Sequence, residues 1–362
     1  MPVLLPIDHV AELWPHELRG ARLAALLHPA STDSKLEHTS QILAREHGKL
    51  FHLRAFFGPQ HGYRGETQDN MIEWSGYQHP RLAIPIYSLY GEHREPTREM
   101  LQDIDLLLID LQDIGARYYT FIWTMYLAMR ACERENVRVI VLDRPNPING
   151  VTIEGPSFNP DYLSFVGMHP LPVRHGKTIG ELATQFRDEA FPKCALTVLP
   201  MQDWERAMWF DDTGLRWVMP SPNIPTLETA TVYPGMCLLE GTNLSEGRGT
   251  TKPFEIFGAP WIDPEKLCCQ LNALNLAAIH FRAMYFQPTF QKFAGELCGG
   301  AQLHVFDRDL FRPFQTAIEL IRCIRRMYAN HFQWKSPPYE YEFEKLPIEV
   351  LLGGPVSEFF PD

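Results

Sequence analysis

Five short β-rich runs in the first 150 residues, each separated from the next by a stretch that suits a helix, constrain this chain more than any other feature. They lie at residues 22–28, 51–57, 84–90, 105–109 and 137–142. Helices are predicted at 34–46, from a start near Pro96-Thr97, and at 118–134, the last apolar on nearly every side. Strand–helix–strand repetition of this kind packs as a parallel sheet covered on both faces, a Rossmann-like or flavodoxin-like α/β arrangement. In such sheets ligands bind beyond the carboxyl ends of the strands. Four of the five runs end in polar clusters rich in ionisable residues. These are Gly58-Pro59-Gln60-His61-Gly62-Tyr63-Arg64-Gly65-Glu66, Gly91-Glu92-His93-Arg94-Glu95, Asp110-Leu111-Gln112-Asp113-Ile114-Gly115-Ala116-Arg117 and Asp143-Arg144-Pro145-Asn146-Pro147. Chemistry spread over neighbouring strand ends is the pattern of an enzyme.

The turn-forming cluster Pro145-Asn146-Pro147-Ile148-Asn149-Gly150 interrupts the alternation. Beyond it prolines recur, strands become irregular, and helices are predicted at 178–188, 264–274 and 312–329. The reading is therefore a Rossmann-like domain over 1–154 and an α+β domain over 155–362, the second completing a cleft with the first. The carboxyl-terminal stretch after Trp334 is expected to wrap back over the body.

With 45% apolar and 21% charged residues the composition is that of an ordinary globular protein. A net charge of −11 argues against nucleic acid or an anionic membrane as the main partner, and obliges any anionic ligand to find a locally basic pocket. The uncharged stretch 118–129 falls short of the roughly 20 residues a membrane span needs. Seven cysteines without a CxxC pair point to core thiols, and no metal or cofactor is expected. The amino terminus has neither the basic nor the apolar region of a signal peptide, so the expected compartment is the cytoplasm, or a secreted or periplasmic location if a signal has been removed.

His175-Gly176-Lys177-Thr178 resembles the end of a phosphate-binding loop, but Leu171 stands where that motif needs glycine. Thr178 and Glu181 fit a helix capping box better. No dinucleotide fingerprint follows any strand. Among the carboxylates, Glu92 stands out because it follows directly where the chain leaves a strand, over the expected crevice. Glu66 closes a glycine-rich loop with His61 and Arg64, and Asp110 and Asp113 lie at another strand exit, where Gly115-Ala116 would let the backbone approach a ligand. In the second half, 239–252 is the densest polar cluster; there Arg248 presents the planar fork that suits a carboxylate.

These strand-end clusters, together with Pro220-Ser221-Pro222-Asn223-Ile224-Pro225-Thr226 and Glu240-Gly241-Thr242-Asn243-Leu244-Ser245-Glu246-Gly247-Arg248-Gly249-Thr250-Thr251, resemble the peptidoglycan exo-β-N-acetylmuramidase (NamZ) family over about residues 20–350. Gln60 departs from the family's common Glu, so that position is not expected to supply an essential acid. The resemblance implies a glycosidase that releases N-acetylmuramic acid from the non-reducing end of peptidoglycan fragments, with its active site between the two domains. Glycoside cleavage needs an acid and usually a second carboxylate. Glu92, raised in pKa by burial, is expected to be the acid, and Glu66 or Asp110 its partner, with Glu246 next. The lactyl carboxylate of muramic acid calls for arginine, and Arg117, Arg144 and Arg248 are the expected clamps, Arg248 first. Tyr63, Tyr90 and Tyr118 are expected to stack on sugar. His61, Arg64, His93, Asp113, Asp143, Asn223, Asn243 and Glu246 complete the expected binding set. The competing reading is a non-catalytic binding protein for muropeptides or another anionic sugar.

Overall fold

The computed structural model describes residues 2–361, which form two compact units. Among the described residues, the first comprises 2–115, 119–151 and 176–225; the second comprises 116–118, 152–175 and 226–361.

The first unit is built on a seven-stranded sheet: β1 Ala21–Leu27, β2 Phe51–Gly58, β3 Tyr77–Gln78, β4 Pro85–Ser88, β5 Leu106–Asp110, β6 Arg138–Leu142 and β7 Leu196–Leu199. Their order is β3-β4-β2-β1-β5-β6-β7, and every pair is parallel except β3 with β4. The centre of the sheet is the most apolar part. β5 is buried along its whole length, as a parallel strand covered on both faces must be. From β1 the chain goes first to β2 on one side and later to β5 on the other, so the topological switch lies between β1 and β5.

The five expected strands are present with small shifts in their ends. β3 is too short to show a period, and β7 carries the three half-buried residues Leu196, Thr197 and Val198. β7 has a further consequence. It lies well beyond residue 154, so the chain returns to the first unit after leaving it, and the units do not meet at one point in the sequence. The first helix is shorter than expected, Thr39–Glu46, because the Asp33 carboxylate accepts from the backbone N–H groups of Lys35 and Glu37 and holds that stretch in a turn. The helix Phe121–Glu135 buries ten side chains and ends at Asn136, whose left-handed backbone lets its N–H reach the carbonyls of Cys132 and Glu133. The helix Ile179–Glu189 begins with the expected capping box of Thr178 and Glu181.

The second unit carries a three-stranded antiparallel sheet, β8 Ile256–Ala259, β9 Ile279–Phe286 and β10 Cys298–Val305, in the order β8-β10-β9. Helices Leu227–Met236, Pro264–Ala273, Pro313–Met327 and Pro347–Leu352 belong to the same unit. No helix among the described residues is long and apolar enough to cross a membrane.

Arg117, expected to clamp substrate, is fully buried within this second unit. Its guanidinium donates to the carbonyls of Pro156 (3.1 Å), Leu171 (2.9 Å), Leu351 (2.7 Å) and Leu352 (2.9 Å). Leu351 and Leu352 end a helix, where carbonyls lack intrahelical partners and the helix dipole favours a cation. Burial pushes the Arg117 pKa down to about 10, so the group stays charged at neutral pH. It is a structural brace. Arg117→Ala should lower unfolding free energy by about 2–4 kcal/mol, because buried carbonyls lose their donors. Urea denaturation followed by tryptophan fluorescence would measure the loss.

Candidate active site

Two carboxylate-bearing loops leave adjacent strands of the first unit: Glu66 follows β2 and Glu92 follows β4. Trp74 joins them. Its indole Nε1–H donates to the Pro59 carbonyl (2.9 Å), and its backbone N–H donates to the Tyr90 carbonyl (3.1 Å). The Leu89 N–H bonds the Gly58 carbonyl at 2.9 Å, which closes the two strand exits against each other. Trp74 carried no periodic signal in the sequence.

Glu66 is exposed, yet its position is set. Tyr77 donates its hydroxyl to Oε1 (2.9 Å), and the backbone N–H of Arg64 donates to Oε2 (3.0 Å). A side chain at Gly62 would place Cβ 1.9 Å from Glu66 Oε2, and φ there is +95°, so the loop requires glycine. His61, at φ +70°, turns inward and its Nδ1 lies 2.8 Å from the Thr67 carbonyl. Arg64 remains exposed, with its guanidinium 5.7 Å from the centre of the Tyr77 ring.

Glu92 departs from expectation. Its side chain is 88% exposed and lies 3.7 Å from His93, itself 40% exposed, so the burial that was to make it an acid is absent. In this exposed position only a bound ligand would withdraw the carboxyl from water.

Asp110 is the opposite case. It is fully buried at the end of β5, and Arg144 grips it with both arms at 2.5 and 2.9 Å while Thr39 donates to Oδ2 at 2.5 Å. Arg144 also donates to the Thr32 carbonyl. Both side chains are consumed by each other, which removes Asp110 from the free carboxylates and Arg144 from the free clamps. Beside them the buried His28 imidazole has Nδ1 3.1 Å from the Pro220 carbonyl and accepts at Nε2 from the Gln112 N–H. Desolvation lowers its pKa to about 3, so it is neutral. Asp113 accepts from the Gly115 N–H, and Asn223 donates to the Gln68 carbonyl; both are buried. Gly115 does permit a close approach, but to protein: a Cβ there would meet Asn146 Oδ1 at 2.6 Å and Ile148 at 2.7 Å.

In the second unit the dense cluster at 239–252 folds inward. Arg248 lies 2.8 Å from Glu240 and 3.4 Å from Glu246, with its guanidinium 5.0 Å from the centre of the Phe254 ring. Lys292 holds Glu246 at 2.9 Å, and the Tyr339 hydroxyl donates to Glu240 at 2.8 Å. Arg248 and both carboxylates are buried, and the carboxylates raise the arginine pKa above its ordinary value against the opposing effect of burial. Gly249 approaches the Phe290 carbonyl and amide rather than a ligand. Asn243 bonds the His331 carbonyl and the Gln333 N–H. Tyr118 donates to the Pro234 carbonyl; Tyr90 and Tyr118 are buried and offer no face to sugar, and the ring of the buried Tyr63 packs on Phe56 and His38. The sequence marked these residues as chemically active because it shows charge without showing which charges neutralise one another.

Two consequences are measurable. Arg248→Ala takes the cation from the buried Glu240, while Glu246 keeps Lys292, and should cost about 3–5 kcal/mol of stability in urea denaturation. Asp143 sits beside the start of the helix Ile179–Glu189, accepting from the N–H groups of Gly180 (2.8 Å) and Arg144 (3.0 Å) and from Thr178 Oγ1 (3.1 Å). Burial nonetheless raises its pKa from 3.8 to about 6. The folded state then keeps a proton that the unfolded chain has released, so stability falls as pH rises from about 4 to about 6. Asp143→Asn, which removes that titration, should become more stable relative to wild type between pH 4 and pH 7. A constant difference across those pH values would contradict this account.

Comparison with known proteins agrees with the architecture. The models for the amino-terminal and carboxyl-terminal parts of exo-β-N-acetylmuramidase NamZ match residues 23–228 and 231–356. Peptidoglycan β-N-acetylmuramidase NamZ of Bacillus subtilis (strain 168) is 46% identical over 330 residues, covering 91% of this chain and 79% of the relative. Crystal structures of two DUF1343 family proteins from Bacteroides fragilis NCTC 9343 superpose with TM-scores of 0.88 and 0.73 at 33% and 26% identity, each covering 99% of this chain and 90% of the other. With both family models matched in order along nearly its whole length, the chain belongs to the exo-β-N-acetylmuramidase NamZ family.

Proposed function

We propose that this protein is a glycoside hydrolase that releases N-acetylmuramic acid from the non-reducing end of peptidoglycan fragments. The observation that carries this reading is the 46% identity, over 91% of the chain, with a peptidoglycan β-N-acetylmuramidase. Cleavage of a glycosidic bond requires a proton for the departing oxygen and, in most enzymes of this class, a second carboxylate that attacks or activates water. Glu92 is the proposed acid and Glu66 its proposed partner. Support comes from their placement on the loops after β4 and β2, two neighbouring strands, and from their exposure to an incoming ligand. Asp110 and Glu246 lack that freedom because arginine or lysine already holds them in the interior.

The exposure of Glu92 has a mechanistic meaning. A sugar laid over the loop would take the carboxyl out of water, so the environment suited to proton transfer forms only with substrate in place. Glu66 differs in being fixed beforehand by Tyr77 and the Arg64 amide.

Turnover of a chromogenic N-acetylmuramic acid glycoside tests the reading directly. Glu92→Gln keeps the shape and removes the transferable proton, so kcat should fall by about 10²–10⁴-fold. Glu66→Gln should also lower kcat. Retention of more than a tenth of wild-type kcat by the Glu92 variant would exclude it as the acid.

A further inference from the structure

One groove in the first unit is distinguished by charge. It has a volume of about 840 Å³ and runs from Pro29, just past β1, between the helix Thr39–Glu46 and the turn at 79–82, with Tyr63 and Arg64 along it. Three arginines line it, Arg45, Arg64 and Arg81, against the single carboxylate of Glu37. Arg45 is paired with that carboxylate. Arg64 and Arg81 are exposed, and among the described residues neither guanidinium has a carboxylate partner. A concentration of uncompensated positive charge stands out in a chain of net charge −11. His79 also lines the groove, and burial together with the charges of Arg64 and Arg81 lowers its pKa. The groove also adjoins a proposed catalytic group: Arg64 lies over the ring of Tyr77, and Tyr77 holds Glu66.

We infer that this groove receives the lactyl carboxylate of the muramic sugar, with Arg64 and Arg81 as its cationic receptor; the inference rests on the function proposed above. The lactyl ether branches from C3 of the pyranose, close to the anomeric carbon where the bond breaks. The group that reads the carboxylate must therefore lie beside the catalytic carboxylates, as Arg64 does on the loop of Glu66. The three arginines that the sequence suggested are excluded by their partners: Arg117 by carbonyls, Arg144 by Asp110, and Arg248 by Glu240 and Glu246. A volume of this size falls within the range of sites that hold small ligands. Two guanidiniums can bind one carboxylate through several charge-assisted hydrogen bonds.

The test is substrate discrimination. N-Acetylmuramic acid and N-acetylglucosamine differ by the lactyl ether alone, so the ratio of kcat/KM for their p-nitrophenyl glycosides reads the receptor. Arg64→Ala and Arg81→Ala should each lower that ratio about tenfold, chiefly through KM for the muramic glycoside, and the double variant further. Arg81→Lys should restore part of the loss, since it returns charge without the planar fork. Calorimetric binding of free N-acetylmuramic acid should weaken in parallel. An unchanged ratio in the double variant would overturn the inference. So would equal losses on both glycosides, because the arginines would then be holding the loop. If wild type fails to cleave the muramic glycoside, the proposed function falls. Loss of N-acetylmuramic acid binding in the double variant would then still establish the groove as its receptor, while unchanged binding would refute both.

Discussion

The pair of Asp110 and Arg144 organises the first unit. Asp110 terminates β5 at the topological switch point, the place where an open parallel sheet offers a crevice. Arg144, just after β6, fills that position with its own charge, and the pair reaches Thr39 at the start of a helix and the Thr32 carbonyl beyond β1. Three strand exits and one helix start are thereby fixed around a single neutralised ion pair. Such a pair is expensive to form but far more expensive to break, because either partner left alone is an unpaired buried charge. The consequence is that neither charge of the pair is free for a ligand, whereas the exposed carboxylates Glu66 and Glu92 follow β2 and β4.

The second unit repeats the logic with different parts. Glu240, Glu246, Arg248 and Lys292 form a network in which each carboxylate meets a cation, and Tyr339 supplies a further donor. Arg117 achieves the same end without any carboxylate, by collecting carbonyls that a helix end leaves over. Sorting the arginines by partner separates scaffold from surface more sharply than sorting them by neighbouring motif. Those with partners inside are braces. Arg64 and Arg81, which have no carboxylate partner among the described residues, remain available to a ligand.

The loops that carry Glu66 and Glu92 owe their placement to Trp74 and Tyr77. Trp74 bonds both strand exits, and Tyr77, in the short strand β3, orients one carboxylate through its hydroxyl. Neither residue is ionised, and neither belongs to a regular element long enough to show a period. Their contribution is geometric, and it exists only when β2, β3 and β4 lie side by side.

What the sequence by itself determined is the alternation of strands and helices, the parallel character of the main sheet, the capping box at Thr178 and the family. Each depends on local pattern: apolar period, turn residues, cap chemistry, or long contiguous motifs. The exits carrying Glu66 and Glu92 were legible for the same reason, since a strand end is a local feature. Tertiary structure alone decided that β7 returns to the first sheet, that Asp110 and Arg144 neutralise each other across 34 residues of sequence, and that Arg248 faces inward. It also decided that Glu92 stands in solvent while Asp110 does not. The physical reason is that burial and ion pairing are set by which segments meet, and a charged side chain reads alike in sequence whether its partner is a carboxylate, a carbonyl or water.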